Sequence, residues 1–284
     1  MLQSLVKRFK MNVTIIGLGI IGGSYAKGLT KAGYNVYGVD KDLMTIEYAK
    51  HEGFIVDGST NARDYLTLSD LIVIGLYPDD VIKFIEENLQ YFKNGQVITD
   101  VCGVKKSICK KATELLKDSY FVGSHPMAGR EKVGIKYADE KIFKGTNFLM
   151  CPVEGTNQIA VDVVYKMARD LGFGYIHQIS PEFHDEMIAY TSQLTHAIAV
   201  SLVNSNANDE VVKFIGDSYR DLTRIAMINE SLWSQLFIEN KESLISQIDG
   251  FINELEIVKK AINSENLDLL KDKFISSKKK REVM

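Results

Sequence analysis

From Asn12 to about Ile179, short β-branched runs alternate with segments of helical period. "NVTIIG" reads as a buried strand, followed by a helix over Ile20–Lys31 that Gly33 closes. "NVYGVD" is the second strand, and Asp42–Glu52 a helix ending at Gly53. "FIVDG" is a short third strand. "DLIVIGL" is a continuous apolar run, as a sheet covered on both faces requires. A helix after Pro78, the strand "QVITDV", a helix over Lys105–Lys117 and the strand "YFVGS" come next. Beyond a loop, "NFLMCPV" reads as a strand, Ile159–Leu171 as a helix and "GYIHQI" as a last strand. Alternation at this spacing predicts right-handed βαβ units and a mostly parallel, doubly wound α/β sheet.

The texture changes at "ISPEFHDEM". Ser180 offers an N-cap oxygen, Pro181 suits the first helical position, and the acids that follow are favoured by the helix dipole. Past this point strand signals nearly vanish. Met187, Ile188, Leu194, Ala197, Ile198 and Leu202 recur at helical spacing, as do Leu232, Leu236, Leu244, Ile245, Ile248, Phe251, Ile252, Leu255 and Val258. The pattern divides the chain into residues 1–179 and an all-helical domain, residues 180–284. Apolar faces this long exceed what a small domain buries alone, so a homodimer through the helical half is expected. The basic tail "KDKFISSKKKREVM" reads as a solvated, frayed end.

Composition adds exclusions. A chain of 284 residues, 45% hydrophobic and 25% charged, can bury two cores. Its net charge of −3 gives no electrostatic reason to expect nucleic acid. Three cysteines, Cys102, Cys109 and Cys151, with no C-x-x-C pair and no zinc-type spacing, suit a reducing compartment and imply no metal. "MLQSLVKRFK" is too short in apolar residues for a signal peptide, and the run "VTIIGLGIIGGSYA" is too short to span a membrane. A soluble cytoplasmic protein is expected.

Candidate chemistry begins at "TIIGLGIIGGS". Gly17, Gly19 and Gly22 stand at G-x-G-x-x-G spacing between a strand and a helix, the context a dinucleotide-binding (Rossmann) turn requires. Gly17 permits the turn, Gly19 lets backbone approach a pyrophosphate, and Gly22 lets helix pack on strand. With Leu18, Ile20 and Ile21 they form a turn whose helix N-terminus receives phosphates. Asp40 ends the second strand, where a carboxylate binds ribose hydroxyls and repels a 2′-phosphate. That favours NAD over NADP, and the neighbouring Lys41 weakens the preference without reversing it. Tyr77 and Pro78, after the fourth strand, occupy the loop that flanks the cofactor.

His125 follows "YFVGS" and is therefore placed at the carboxyl edge of the sheet, where ligands of doubly wound folds sit. Pro126 stiffens its turn, and Ser124 is positioned to help orient the ring. An isolated histidine here is either a satisfied structural residue or a base that takes a hydroxyl proton. In "IGDSYRDLTRIAMINESLW", Arg220 and Arg224 share a helical face and Asp221 lies three residues before Arg224. They form either a salt-bridged surface helix or an anion site, with Trp233 nine residues on. Ser192, Gln193, Thr195 and His196 form a polar cluster on an apolar helix, satisfied internally or lining a pocket.

Together "GLGIIGGS", "SHPMAG", the H-x-I-A at His196 and "YRDLTRIA" followed by tryptophan resemble the prephenate dehydrogenase family, from Met11 to about Val258. The resemblance implies NAD-dependent oxidative decarboxylation of prephenate to 4-hydroxyphenylpyruvate in tyrosine biosynthesis, with arogenate as the alternative substrate. It implies that His125 accepts the hydrogen bond of the ring hydroxyl and that Arg224 holds the ring carboxylate. Ser124, Gln193, His196 and Trp233 fall at or beside pocket positions, and Glu131, Arg220 and Asp221 at charged positions around its mouth. Relatives often carry G-S-V-K after the "TD" strand, whereas "TDVCGVKK" places Gly103 at that serine's position and Cys102 before it. Gln193 stands where some relatives carry histidine. No mutase segment is expected ahead of the first strand and no regulatory domain after residue 284, so inhibition by tyrosine would act in the active site or the helical domain. Hydroxyacid dehydrogenases of similar architecture rely on a lysine in the helical half, and a non-catalytic nucleotide sensor would need neither His125 nor Arg224.

Overall fold

The computed structural model describes residues 10–129 and 132–283. Among them, β1 (Asn12–Ile16), β2 (Asn35–Val39), β3 (Asp57–Ser59), β4 (Leu71–Ile74), β5 (Val97–Asp100), β6 (Tyr120–Pro126), β7 (Asn147–Cys151) and β8 (Tyr175–Gln178) form one sheet. Its order is β3-β2-β1-β4-β5-β6-β7-β8. Pairing is parallel from β3 through to β6, antiparallel between β6 and β7, and parallel again between β7 and β8. Six helices cover this sheet: α1 (Ile20–Lys31), α2 (Leu43–His51), α3 (Arg63–Leu66), α4 (Pro78–Asn88), α5 (Lys106–Leu115) and α6 (Gln158–Asp170). Strand alternation assigns the faces. Val13, Ile15, Leu71 and Val73 share a core with Tyr25 and Leu29 of α1 and Val164 and Met167 of α6. Ile16, Ile72, Ile74 and Ile98 pack instead with Val81 and Ile85 of α4 and Ile108 and Ala112 of α5. The strand order reverses between β1 and β4, so a crevice opens beyond their carboxyl ends.

Two strands differ from their reading in the sequence. The "FIVDG" strand begins only at Asp57, because Phe54 closes α2 instead. Gly53 adopts φ 70°, and the N–H groups of Gly53 and Phe54 bond to the Lys50 and Ala49 carbonyls, a Schellman ending that uses up the first residues of the run. The "YFVGS" strand, by contrast, continues to Pro126. Tyr120–Val122 pair with β5, and Gly123–Pro126 switch to antiparallel pairing with β7, His125 opposite Leu149. His125 is thus a strand residue and not the first residue of a loop.

From Pro181 onward the chain is helical: α7 (Pro181–Ile188), α8 (Leu194–Asn204), α9 (Asp217–Thr223), α10 (Glu230–Glu239), α11 (Lys241–Asn263) and α12 (Leu267–Glu282). Ser180 caps α7 by accepting from Phe183 N at 3.1 Å. A π-helical turn over Ala189–Gln193 joins α7 to α8. Leu236 of α10 is buried in the same core as Cys102 and Val104, so the helical half sits directly on the carboxyl end of β5. Among the described residues no helix is long and apolar enough to cross a membrane.

Candidate active site

The turn after β1 is built for close backbone approach. Gly17 has φ +86°, and a Cβ there would lie 2.6 Å from the Gly75 carbonyl oxygen of the loop after β4. A Cβ on Gly22 would fall 1.9 Å from Gly17 O, so only glycine fits. A Cβ on Gly19 would meet nothing within 4 Å, which leaves its backbone facing open space. Gly19 is the N-cap of α1, no side chain caps that helix, and no acid lies in its first turn. Ile20 and Ile21 are half-buried there, so the free N–H groups present a positive end to a ligand.

Asp40 ties this turn to the end of β2. Its Oδ2 accepts from Leu18 N at 2.7 Å and its Oδ1 from Asp42 N at 3.0 Å. Each carboxylate oxygen keeps a second lone pair for a ribose hydroxyl. Lys41 is exposed beside it. Tyr77 caps α4 and Pro78 takes its first position. The Tyr77 hydroxyl accepts from Asn229 Nδ2 at 3.0 Å, and Asp79 N donates to Gln235 Oε1 at 3.3 Å, so this loop is fastened to the start and middle of α10. A turn that excludes side chains, an uncapped helix end and a carboxylate at the second strand fit a dinucleotide.

His125 lies at the seam between the two halves. A Cβ built on Gly103 would sit 3.7 Å from His125 Cε1 and 3.3 Å from Leu236 Cδ2, so the ring edge, the Gly103 loop and α10 converge. His125 Nδ1 is 2.9 Å from Nε2 of His184, whose Nδ1 is 2.7 Å from Asp185 Oδ1. Asp185 also accepts from the backbone N–H groups of Lys105 and Lys106, at 2.8 and 2.9 Å, at the start of α5. Nearby, Lys105 Nζ donates to Asp100 Oδ2 at 2.5 Å with both side chains fully buried. Burial would lower the Lys105 pKa, but the Asp100 carboxylate outweighs it and holds the ammonium above its ordinary range. Burial first, then His184 and Lys105, push His125 well below the usual imidazole value. Burial likewise lowers His184, against the pull of Asp185. Both rings are therefore neutral near neutral pH, the state a proton acceptor needs.

Ser124, expected beside the imidazole, points the other way. Successive strand residues face opposite sides, and its hydroxyl donates to the Asp100 carbonyl at 2.6 Å while accepting from Thr99 at 3.0 Å. It braces β5 against β6 and does not reach the ring. Gln193 is buried, its Nε2 donating to Leu236 O and its Oε1 accepting from Asn240, at 2.9 and 2.8 Å. Its carboxamide thus joins the π turn to α10. His196 donates from Nδ1 to Ser192 O at 2.9 Å and stacks on Trp233 with ring centroids 3.6 Å apart. Arg220 pairs with Asp217 at 3.2 Å on an exposed face of α9, and Asp221 is exposed beside it. Arg224 opens the single 3-10 turn that follows α9. Glu131 lies outside the described residues.

Sequence reasoning passed over His184, Asp185, Asp100, Lys105 and Asn240. One signal was present: His184 and Asp185 share the inward side of α7 with Ile188, and polar residues at buried helical positions require partners.

The fold and this seam define a two-domain dehydrogenase with a Rossmann-type nucleotide domain and a helical partner. Residues 25–176 match the family model "Prephenate dehydrogenase, nucleotide-binding domain", and residues 180–275 match "Prephenate dehydrogenase, dimerization domain". The chain belongs to the prephenate dehydrogenase family of NAD-dependent oxidoreductases. It is 27% identical over 286 residues to prephenate dehydrogenase of Bacillus subtilis, covering 98% of this chain and 77% of that one. It is 29% identical over 280 residues to cyclohexadienyl dehydrogenase of Zymomonas mobilis, covering 95% and 94%. The crystal structure of prephenate dehydrogenase from A. aeolicus with hydroxyphenyl propionate and NAD+ superposes with TM-score 0.88 at 29% identity, covering 96% of this chain and 98% of that one.

Proposed function

We propose that this protein oxidatively decarboxylates prephenate to 4-hydroxyphenylpyruvate, working as a homodimer with NAD+. The observation that carries this reading is the His125 imidazole held between the nucleotide domain and the helical domain, where burial lowers its pKa and favours the neutral ring. NAD+, when bound at the Gly17–Gly22 turn and Asp40, supplies the hydride acceptor.

The chain's own residues have three tasks. His125 accepts the hydrogen bond of the ring hydroxyl and draws its proton as the carbinol C–H bond breaks. Arg224 holds the ring carboxylate until its bond to the ring breaks as CO2; that electron pair aromatises the ring, and the oxygen, which takes up the C=O pair, recovers its proton from His125. Leu236 borders the His125 ring edge and, in this reading, the His196–Trp233 stack of the same helical half helps it keep water from the substrate. Aromatisation drives the reaction forward, so the protein contributes mainly positioning and electrostatics. Gly103 puts no hydroxyl beside His125, and Leu236 fills part of that space. The imidazole therefore carries the hydroxyl contact without help from residue 103.

Asp40 favours NAD+ over NADP+ in this reading. Apolar side chains exposed on α11 and α12, among them Ile252, Leu255, Ile262 and Phe274, supply the dimer surface. Prephenate and arogenate, each with NAD+ and with NADP+, separate the options by ultraviolet absorbance of the reduced cofactor. Prephenate with NAD+ is expected to give the highest kcat/KM. Turnover of arogenate alone would overturn the substrate assignment.

A further inference from the structure

We propose that His184 and Asp185 are positioning residues that fix the tautomer and ring plane of His125, and that they do so from the opposite half of the molecule. The proposal rests on the reading of His125 as the proton acceptor. A carboxylate only accepts hydrogen bonds. Asp185 Oδ1, 2.7 Å from His184 Nδ1, therefore requires the proton on that nitrogen. His184 Nε2 is then the bare nitrogen of a neutral ring, and at 2.9 Å from His125 Nδ1 it must be the acceptor. His125 Nδ1 in turn carries its proton, which leaves Nε2 as the lone pair that faces substrate chemistry. A free imidazole has no such constraint, and the wrong tautomer would present a donor where an acceptor is needed.

The anchor of this chain is rigid. His184 is fully buried and Asp185 nearly so. The Asp185 carboxylate is aimed at the backbone N–H groups of Lys105 and Lys106, at the positive end of α5. Its own carbonyl accepts from Asn240 Nδ2 at 2.8 Å, and Asn240 is bonded to Gln193 at the π turn. So α7, the π turn and α11 fix Asp185, Asp185 fixes His184, and His184 fixes His125. The same carboxylate joins α7 to α5, which makes seating of the helical half on the nucleotide domain a condition for the base to be correctly protonated. Charged groups near the pair are the buried Lys105–Asp100 ion pair on the nucleotide side and Asp185 itself.

The test uses full-length wild type with His184→Leu, which removes the acceptor, and His184→Gln, whose amide oxygen can replace it. Nitrogen NMR of protein labelled at its histidine rings reads tautomers directly, with the His125 signal identified by its loss in His125→Asn. Wild type is expected to show His125 protonated on Nδ1 and bare on Nε2 at neutral pH. His184→Leu should shift the ring toward the other tautomer and lower kcat about a hundredfold with KM little changed, and His184→Gln should recover most of that loss. His125 protonated on Nε2 in wild type would overturn the proposal, whether or not the Leu variant folds. Equal loss in the Leu and Gln variants, with an unchanged His125 tautomer, would overturn it too. If the wild-type tautomer is as stated and prephenate is not turned over, the reading of the reaction fails and the positioning of His125 stands.

Discussion

At the residue scale the account turns on His125 and its charge. His125→Asn keeps a polar side chain of similar reach but no proton acceptor of imidazole strength. It should lower kcat about 10²- to 10⁴-fold and leave prephenate binding nearly intact, as steady-state kinetics will show. Arg224→Gln removes a charged donor and should raise KM about ten- to a hundredfold. An unchanged substrate Kd in that variant would remove Arg224 from the site. The pH dependence follows from burial. Because His125 is held well below the ordinary value of 6.5, the acid limb of kcat/KM should lie below that pH. Stability has the same sign. The unfolded chain takes up protons near pH 6.5 that folded His125 and His184 refuse. Thermal stability should accordingly be flat above that pH and fall as pH drops below it, as melting curves at stepped pH will record.

At the scale of elements, the start of α5 is where the two halves lock together. Lys105→Met would leave Asp100 buried without its cation, at a cost of about 3–5 kcal/mol in denaturant unfolding. A surface lysine such as Lys110, changed the same way, should cost less than about 0.5 kcal/mol. Elements governed by local signals were legible in the sequence. The bounds of α1 emerge from its glycines and apolar period, and the start of α7 from Ser180 and Pro181. The glycine turn and Asp40 were legible for the same reason, since spacing within one βαβ unit defines them. What the sequence hid is non-local. The extension of β6 through His125 depends on β7, more than twenty residues further on, and its antiparallel pairing has no local mark. Ser124 was placed at the ring because its neighbour is there, and only the strand's alternation sends it away. His184 and Asp185 carry no local mark of a role beyond an acid near a helix start, because their partners lie on β6 and α5.

For the whole molecule, one sheet provides the nucleotide turn, one helical half packs on its carboxyl edge, and the proposed chemistry lies where they meet. The apolar residues left exposed on α11 and α12 belong to this scale. Size-exclusion chromatography with light scattering should give twice the chain mass, and Leu255→Glu with Ile252→Glu should shift it toward the monomer. A wild-type monomer at micromolar concentration would refute the dimer. The most direct test of the central claim is the yield of reduced cofactor and CO2 when purified protein meets prephenate and NAD+. The account predicts equal amounts of NADH, CO2 and 4-hydroxyphenylpyruvate from the wild type, and a near-complete loss of all three in folded His125→Asn. Folded wild type that binds NAD+ yet forms no NADH from prephenate would contradict it.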